Sequence, residues 1–483
     1  MESLQSMLET TSLSKGSPDH RPASPANRAN ICDLPPELIE EITTHLEIRH
    51  ITRLRRVCRY LNEATFRSFV RGFSKLRTDL SYKSCKEFEA LTQNQLLANQ
   101  IKHLHITAKS IFSTETSPKT GHIRFGAGFD WLRDGDGLII PDQEGMARWE
   151  TVLKDLPNCK TITLERAFRA PQHIPCTDSD VNTDDEGDFI ADVESTEEQA
   201  DEYPALTHTE VHLFILAMIA KGALQPEEYE LNFGRRLQGP LLGPPFEIEP
   251  AHQYDYYYHR DFRRAWRKNL SSLHFTASLK STAAVNHLRV LVALAHRLKS
   301  LTLDFNFDSD ADHSTSVVRL LSDERLASHF RLKSLELRHG KLYPGSHGQW
   351  VVHAMARHRG TLEHFGLRDM CLSDGIPKII LRDLANNVYE KLKSFRLDQV
   401  CVTYPEAPLY GRQRMGLYFR DLEQGSRVDE ETKGTLEYRF HPKGGSWPHR
   451  PYGLPCPTSL VAYTGPGVSQ IAKRLYDLRQ YQR

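Results

Sequence analysis

A short N-terminal helical module followed by an irregular strand-helix solenoid, mixed α+β and α/β in class, is the fold this sequence predicts. Three observations predict it. A pattern of the form L-x-x-L-x-L returns at intervals of about 30 residues, a separate stretch between residues 34 and 61 has helical periodicity, and Pro- and Ser-rich segments set these regions apart.

Residues 1–30 carry Pro18, Pro22, Pro25 and six serines, with too little apolar surface to offset the entropy of ordering, so a disordered arm is expected. From Ile31 the texture changes. Pro35 and Pro36 open a helix, Glu37, Glu40 and Glu41 suit its positive end, and Leu34, Leu38, Ile42 and Leu46 recur every four residues. A second apolar set, Ile48, Ile51, Leu54, Val57, Cys58 and Leu61, follows a short break, and Arg53, Arg55, Arg56 and Arg59 are assigned to solvent. Two or three short helices fit within a module placed at 31–75.

The repeat is clearest as Leu298-Lys-Ser-Leu301-Thr-Leu303, Leu332-Lys-Ser-Leu335-Glu-Leu337, Leu362-Glu-His-Phe365-Gly-Leu367 and Leu392-Lys-Ser-Phe395-Arg-Leu397. With Leu273 included, the markers Leu273, Leu301, Leu335, Phe365 and Phe395 are 28, 34, 30 and 30 residues apart. Leu104 and Ile162 mark two earlier copies, which makes about seven strands, and helical patterns fill the gaps at 285–298, 316–330, 349–358 and 376–389. Such a unit cannot bury its apolar face alone, so several must stack. The solenoid is placed at 76–402.

Within it, residues 177–203 hold twelve Asp and Glu and no Lys or Arg, a disordered acidic insertion. Thr207 and Glu210 then form a capping box and Gly222 supplies a helix stop. Residues 239–250 read as a Pro/Gly-rich loop, and the tail 403–483 mixes short strands with many Pro and Gly in a fold the pattern does not define.

The formal net charge is zero, and outside the acidic insertion 62 basic residues face 50 acidic ones. That excess is mild and does not argue for nucleic acid or an anionic membrane. No apolar run reaches the roughly 20 residues of a membrane span and no signal peptide is evident, so a cytoplasmic or nuclear location is expected. The eight cysteines are scattered without a C-x-x-C pair and read as reduced thiols.

The segment Leu34-Pro35-Pro36-Glu37-Leu38-Ile39-Glu40-Glu41-Ile42, followed by Leu46 and by Leu54-Arg-Arg-Val57-Cys58-Arg59-Tyr60-Leu61, resembles the F-box motif. The layout as a whole resembles fungal-type F-box proteins with degenerate leucine-rich repeats. Tyr60 and Leu61 stand where many members have a tryptophan. The resemblance implies a three-helix F-box that docks onto a Skp-family adaptor and, through it, a cullin, while the C-terminal region binds a protein substrate. Docking needs apolar side chains that enter a complementary groove, and Leu34, Pro35, Leu38, Ile39, Ile42, Leu54, Val57 and Cys58 would supply them.

In each repeat strand the leucines point inward and the alternate residues face out. Those outward positions include His274, Thr302, Asp304, Glu336, Arg338, Arg368, Arg396 and Asp398, a charge-patterned face for selecting a substrate. Other signals carry less. His208 and His212 lack further zinc ligands at a usable spacing, and the acidic alternation from Asp304 to Asp312 lacks the Gly and Glu of a calcium loop. Tyr254 to Lys268 combines aromatic and basic residues that could hold single-stranded RNA, yet Tyr258, Phe262 and Trp266 fall at helical spacing and can pack instead. No common hydrolase, metalloprotease or nucleotide-binding motif occurs. The expectation is a non-catalytic substrate-recognition subunit of a ubiquitin ligase, with no catalytic residues, metal or cofactor. The alternatives are an F-box scaffold without ubiquitin transfer and an RNA-binding solenoid.

Overall fold

The computed structural model describes residues 31–46, 48–108, 131–132, 139–140, 143–166, 206, 208–232, 259–276, 282–305, 311–323, 329–342, 347–373, 375–386, 389–403, 414–416, 418–419, 425–440 and 458–480. The expected arm at 1–30, the acidic insertion at 177–203, the loop at 239–250, Thr207 of the capping box and Tyr254 to Tyr258 lie outside them. The chain divides into two units, one of residues 1–159 and 164–214, the other of 160–163 and 215–483.

The first unit opens with a 3-10 turn at Ile31–Asp33 and four helices: α1 (Pro36–Thr44), α2 (Ile48–Arg55), α3 (Arg59–Ala64) and α4 (Phe66–Gly72). Pro36 sits in the first turn of α1, where its missing N–H costs nothing. Four helices stand where two or three were expected, because the chain turns again at Thr65 between α3 and α4. Ile39, Ile51, Leu61, Phe69, Val70 and Phe73 form the interior of this module. Thr43 joins them by donating a hydrogen bond to Ser68 at 2.7 Å, and Arg71 pairs with Glu40 at 2.9 Å.

Next come β1 (Lys75–Thr78), α5 (Tyr82–Thr92), α6 (Gln95–Ala98), β2 (His103–Ala108) and α7 (Glu144–Lys154). Strands β1 and β2 are parallel, with Leu76 opposite Leu104. Side chains cap both helices between them: Ser81 accepts from Ser84 N–H, and Asn94 accepts from the N–H groups of Leu96 and Leu97. Trp149 of α7 is fully buried, edge-on to Phe88, and donates to the Leu80 carbonyl at 3.3 Å. Strand β3 (Thr161–Arg166) and helix α8 (His208–Ala220) follow. After α8, Gly222 takes a positive φ of 73° while Ala223 N–H reaches back to the Met218 carbonyl, a six-to-one closure that ends the helix.

In the second unit the order is β4 (Glu228–Asn232), α9 (Arg260–Asn269), β5 (Ser272–Thr276), α10 (Thr282–Leu294), β6 (Ser300–Asp304), α11 (Ala311–Ser322), β7 (Ser334–Arg338), β8 (Lys341–Leu342), α12 (His347–Arg357), β9 (His364–Arg368), β10 (Cys371–Ser373), α13 (Ile376–Asn386), β11 (Ser394–Asp398) and β12 (Cys401–Thr403). Strands β4, β5, β6, β7, β9 and β11 lie side by side and parallel in an open sheet. Strand-helix alternation forces this arrangement, since a parallel neighbour needs a crossover. Their register places Leu273, Leu301, Leu335, Phe365 and Phe395 in one buried row. Strands lie at all seven positions that the leucine pattern marks, together with β1 and β4, which it does not mark.

The last three units share a feature at 30-residue spacing. His339, Asp369 and Gln399, each just after a sheet strand, have φ near +50°, and a short strand begins two residues later in each case. A left-handed residue is needed to turn the chain from one strand into the next, and a side chain there costs about 1–2 kcal/mol. The short strands β8, β10 and β12 form their own parallel sheet, extended antiparallel by β13 (Arg414–Gly416).

The tail closes the main sheet in antiparallel fashion. Beyond β14 (Tyr418–Phe419) it contains β15 (Gly425–Val428), β16 (Thr435–Phe440), β17 (Thr458–Thr464), α14 (Val468–Leu478) and β18 (Arg479–Gln480). Strand β17 pairs with β11, β16 with β17, and β15 with β16 at the edge. No helix among the described residues is long and apolar enough to cross a membrane.

Candidate functional site

In the helical module the apolar residues divide between two sides of α1. Ile39 is 1% exposed and Thr43 is also buried, whereas Leu38 is 51% and Ile42 41% exposed. The four-residue spacing of Leu34, Leu38, Ile42 and Leu46 therefore marks the outward stripe, and the inward one is offset by a residue. Ile39, expected among the docking residues, is buried in the core of the module. Val57, at the turn before α3, is 68% exposed, and Ile31 and Ile48 are exposed as well. Sequence reasoning assigned neither of those two to docking, although Ile48 belongs to the second apolar set. Among the described residues the other exposed large hydrophobic side chains are Leu96, Leu132 and Val428, so five of eight fall within 31–57. An apolar surface left uncovered at that density is what a docking partner would bury.

The other expected docking residues differ in exposure. Pro35 is exposed, while Leu34, Leu54 and Cys58 are half-buried. Tyr60 fixes the approach of the chain by donating its hydroxyl to the Leu34 carbonyl at 2.5 Å. Cys58 is the residue before α3, and its sulfur accepts from Leu61 N–H at 3.5 Å. Arg55 does not face solvent with the other arginines. Its guanidinium lies 3.8 Å from the centre of the Phe69 ring, its Nε donates to Asn62 at 2.8 Å, and burial lowers its pKa. Its long side chain reaches across to the aromatic face of α4, a contact that spacing alone does not reveal.

The ladder of the second unit forms in register. Glu230, His274, Thr302, Glu336, Gly366 and Arg396 make one row, and Thr276, Asp304, Arg338, Arg368 and Asp398 the next. The strand leucines are buried and most alternate residues are partly exposed, with burial falling as expected in β6 and β7. Asp398, expected on the outward face, is only 8% exposed: Arg396 reaches it at 2.7 Å and Arg368 at 3.6 Å from two strands. Elsewhere the charges also pair among themselves. Glu230 meets His274 at 3.0 Å and Glu336 meets Arg338 at 2.7 Å.

His339 connects three successive repeats. Its Nδ1 lies 2.8 Å from Asp304 and its Nε2 3.2 Å from Asp369. Burial works to lower its pKa, but hydrogen bonds and charge from the two carboxylates outweigh burial and raise it to about 9. It is protonated at neutral pH, the cation between two anions. At the other end of the strands, Glu363 is held by Lys333 at 2.7 Å and Lys393 at 2.6 Å, and these bonds hold its carboxyl at about 2.

Of the aromatic residues in Tyr254 to Lys268, Phe262 and Trp266 are described, and both turn inward. Phe262 and Trp266 are fully buried and stacked at 5.3 Å, with Trp266 donating to the Leu291 carbonyl, while Arg260, Arg263, Arg264, Arg267 and Lys268 are exposed. Burial pushes His212 down to about 3, which keeps it neutral, and no group of three or more potential metal ligands occurs among the described residues.

Comparison with curated proteins finds no match to the chain. Residues 31–71, the segment that carries the exposed apolar surface, match the family described as F-box-like, so the chain contains an F-box-like region.

Proposed function

We propose that this chain is the substrate-recognition subunit of a Skp-cullin-F-box ubiquitin ligase. The observation that carries the reading is the apolar surface of Leu38, Ile42 and Val57, left exposed within the segment that matches the F-box-like family. F-box domains bind Skp-type adaptors, and apolar side chains that enter an apolar groove provide the affinity. The cullin then joins through the adaptor. The chain contributes no chemistry of its own; it raises the local concentration of a substrate beside the ubiquitin-charged enzyme.

The strand-helix region reads as a degenerate leucine-rich repeat that holds the substrate. Its ladder of His274, Thr302, Asp304, Glu336, Arg338, Arg368 and Arg396 offers paired charges that a partner of complementary pattern can exchange, a device for selection more than for affinity. Such a subunit works in the cytoplasm or nucleus.

The test is co-expression of the full chain with a Skp-family adaptor. A stoichiometric complex that Leu38→Asp and Val57→Asp abolish, in a chain that stays folded, supports the reading. A folded chain that captures no adaptor overturns it.

A further inference from the structure

Two thiols that follow Ile31 and Val57 in sequence meet in space. The sulfurs of Cys32, in the 3-10 turn, and Cys58, at the start of α3, lie 3.7 Å apart although 26 residues separate them in sequence. Both side chains are half-buried, so a small reagent reaches them. By contrast Cys85, Cys159 and Cys371 are buried. The surroundings are fixed: Leu61 N–H holds the Cys58 sulfur, and the Tyr60 hydroxyl holds the turn through Leu34. A disulfide is about 2.05 Å long, so the sulfurs need to approach by roughly 1.7 Å.

We propose that Cys32 and Cys58 are a hydroperoxide-responsive dithiol whose disulfide weakens adaptor docking. One cysteine, as thiolate, attacks the peroxide; an S–O bond forms, the O–O bond breaks, and the leaving hydroxide takes a proton to become water. The second cysteine, as thiolate, then attacks the sulfenic sulfur; the S–S bond forms, the S–O bond breaks, and the departing hydroxide takes a proton to become a second water. The two thiols lose two electrons and hydrogen peroxide gains them. A dithiol reductant reverses the change.

The bond draws the turn bearing Ile31 and Leu34 towards the segment bearing Val57. A packed interface tolerates little such movement, so the docking surface loses its fit. This consequence rests on the adaptor reading above, whereas the dithiol itself does not.

The experiment treats the full chain with graded hydrogen peroxide, blocks remaining thiols by alkylation and maps disulfides by mass spectrometry. A Cys32–Cys58 cross-linked peptide is expected, reversed by dithiothreitol and absent from Cys32→Ser. In parallel, adaptor affinity is expected to fall about tenfold on oxidation and recover on reduction, while Cys32→Ser binds as reduced wild type and ignores peroxide. Oxidation to sulfinic acid without the cross-link overturns the dithiol. A cross-link with unchanged adaptor affinity overturns the docking consequence. Failure of the reduced chain to bind adaptor overturns the adaptor reading and leaves the mapped disulfide standing.

Discussion

Leu38 and Ile39 are consecutive residues of α1, about a quarter-turn apart, yet the first is half-exposed and the second sealed in the module. Replacing them therefore separates binding from folding. Ile39→Ala removes buried methyl groups and is expected to cost about 2–4 kcal/mol in urea unfolding. Leu38→Asp is expected to change stability by less than about 0.5 kcal/mol and to abolish adaptor capture. Capture by Leu38→Asp at the wild-type level would place the docking surface elsewhere.

His339 gives the second unit a pH dependence with a definite sign. Its folded pKa, about 9, stands above the ordinary histidine value of 6.5, so the folded state favours the proton. The stabilisation is complete below about pH 6.5 and disappears as pH rises through about 9, a loss on the order of 3 kcal/mol. Denaturant unfolding of wild type and His339→Gln at pH 6, 8 and 10 checks this. The two should converge as pH rises, and parallel curves would show that the imidazole is not charged in the folded chain.

The tail depends on a glycine. A Cβ at Gly434 would collide with the hydroxyl end of buried Tyr463, which hydrogen-bonds Thr432 at 2.7 Å. Gly434→Ala is expected to destabilise the unit by about 1–3 kcal/mol through overpacking. Combining it with Tyr463→Phe, which removes the clashing oxygen, should recover part of that loss in thermal unfolding.

The aromatic residues within α9, Phe262 and Trp266, are buried away from its exposed cations. Labelled single-stranded RNA is expected to show no saturable binding in fluorescence anisotropy at about 0.15 M salt. Tight binding lost on Arg263→Gln with Arg267→Gln would return RNA to consideration.

Much of the second unit was legible because its signal is local and repeated. Leu301, Leu335, Phe365 and Phe395 each lie in a strand, and the alternation that sent Leu303 inward sent Thr302 outward. Strand β4 was missed because Glu228–Asn232 lacks the leading leucine of the pattern. The tail was not defined because its strands pair antiparallel across long separations, as Phe395 does with Tyr463.

The strand repeat, the proline-initiated first helix and the F-box-like segment are legible from the residues alone, since period, helix-start chemistry and motif are all properties of near neighbours. Tertiary structure decided which stripe of α1 is buried, that Asp398 is claimed by two arginines, and that Cys32 meets Cys58. Each of these depends on what another element presents in space. A four-residue spacing shows that side chains share a helix face, but only packing determines whether that face meets the core or a partner.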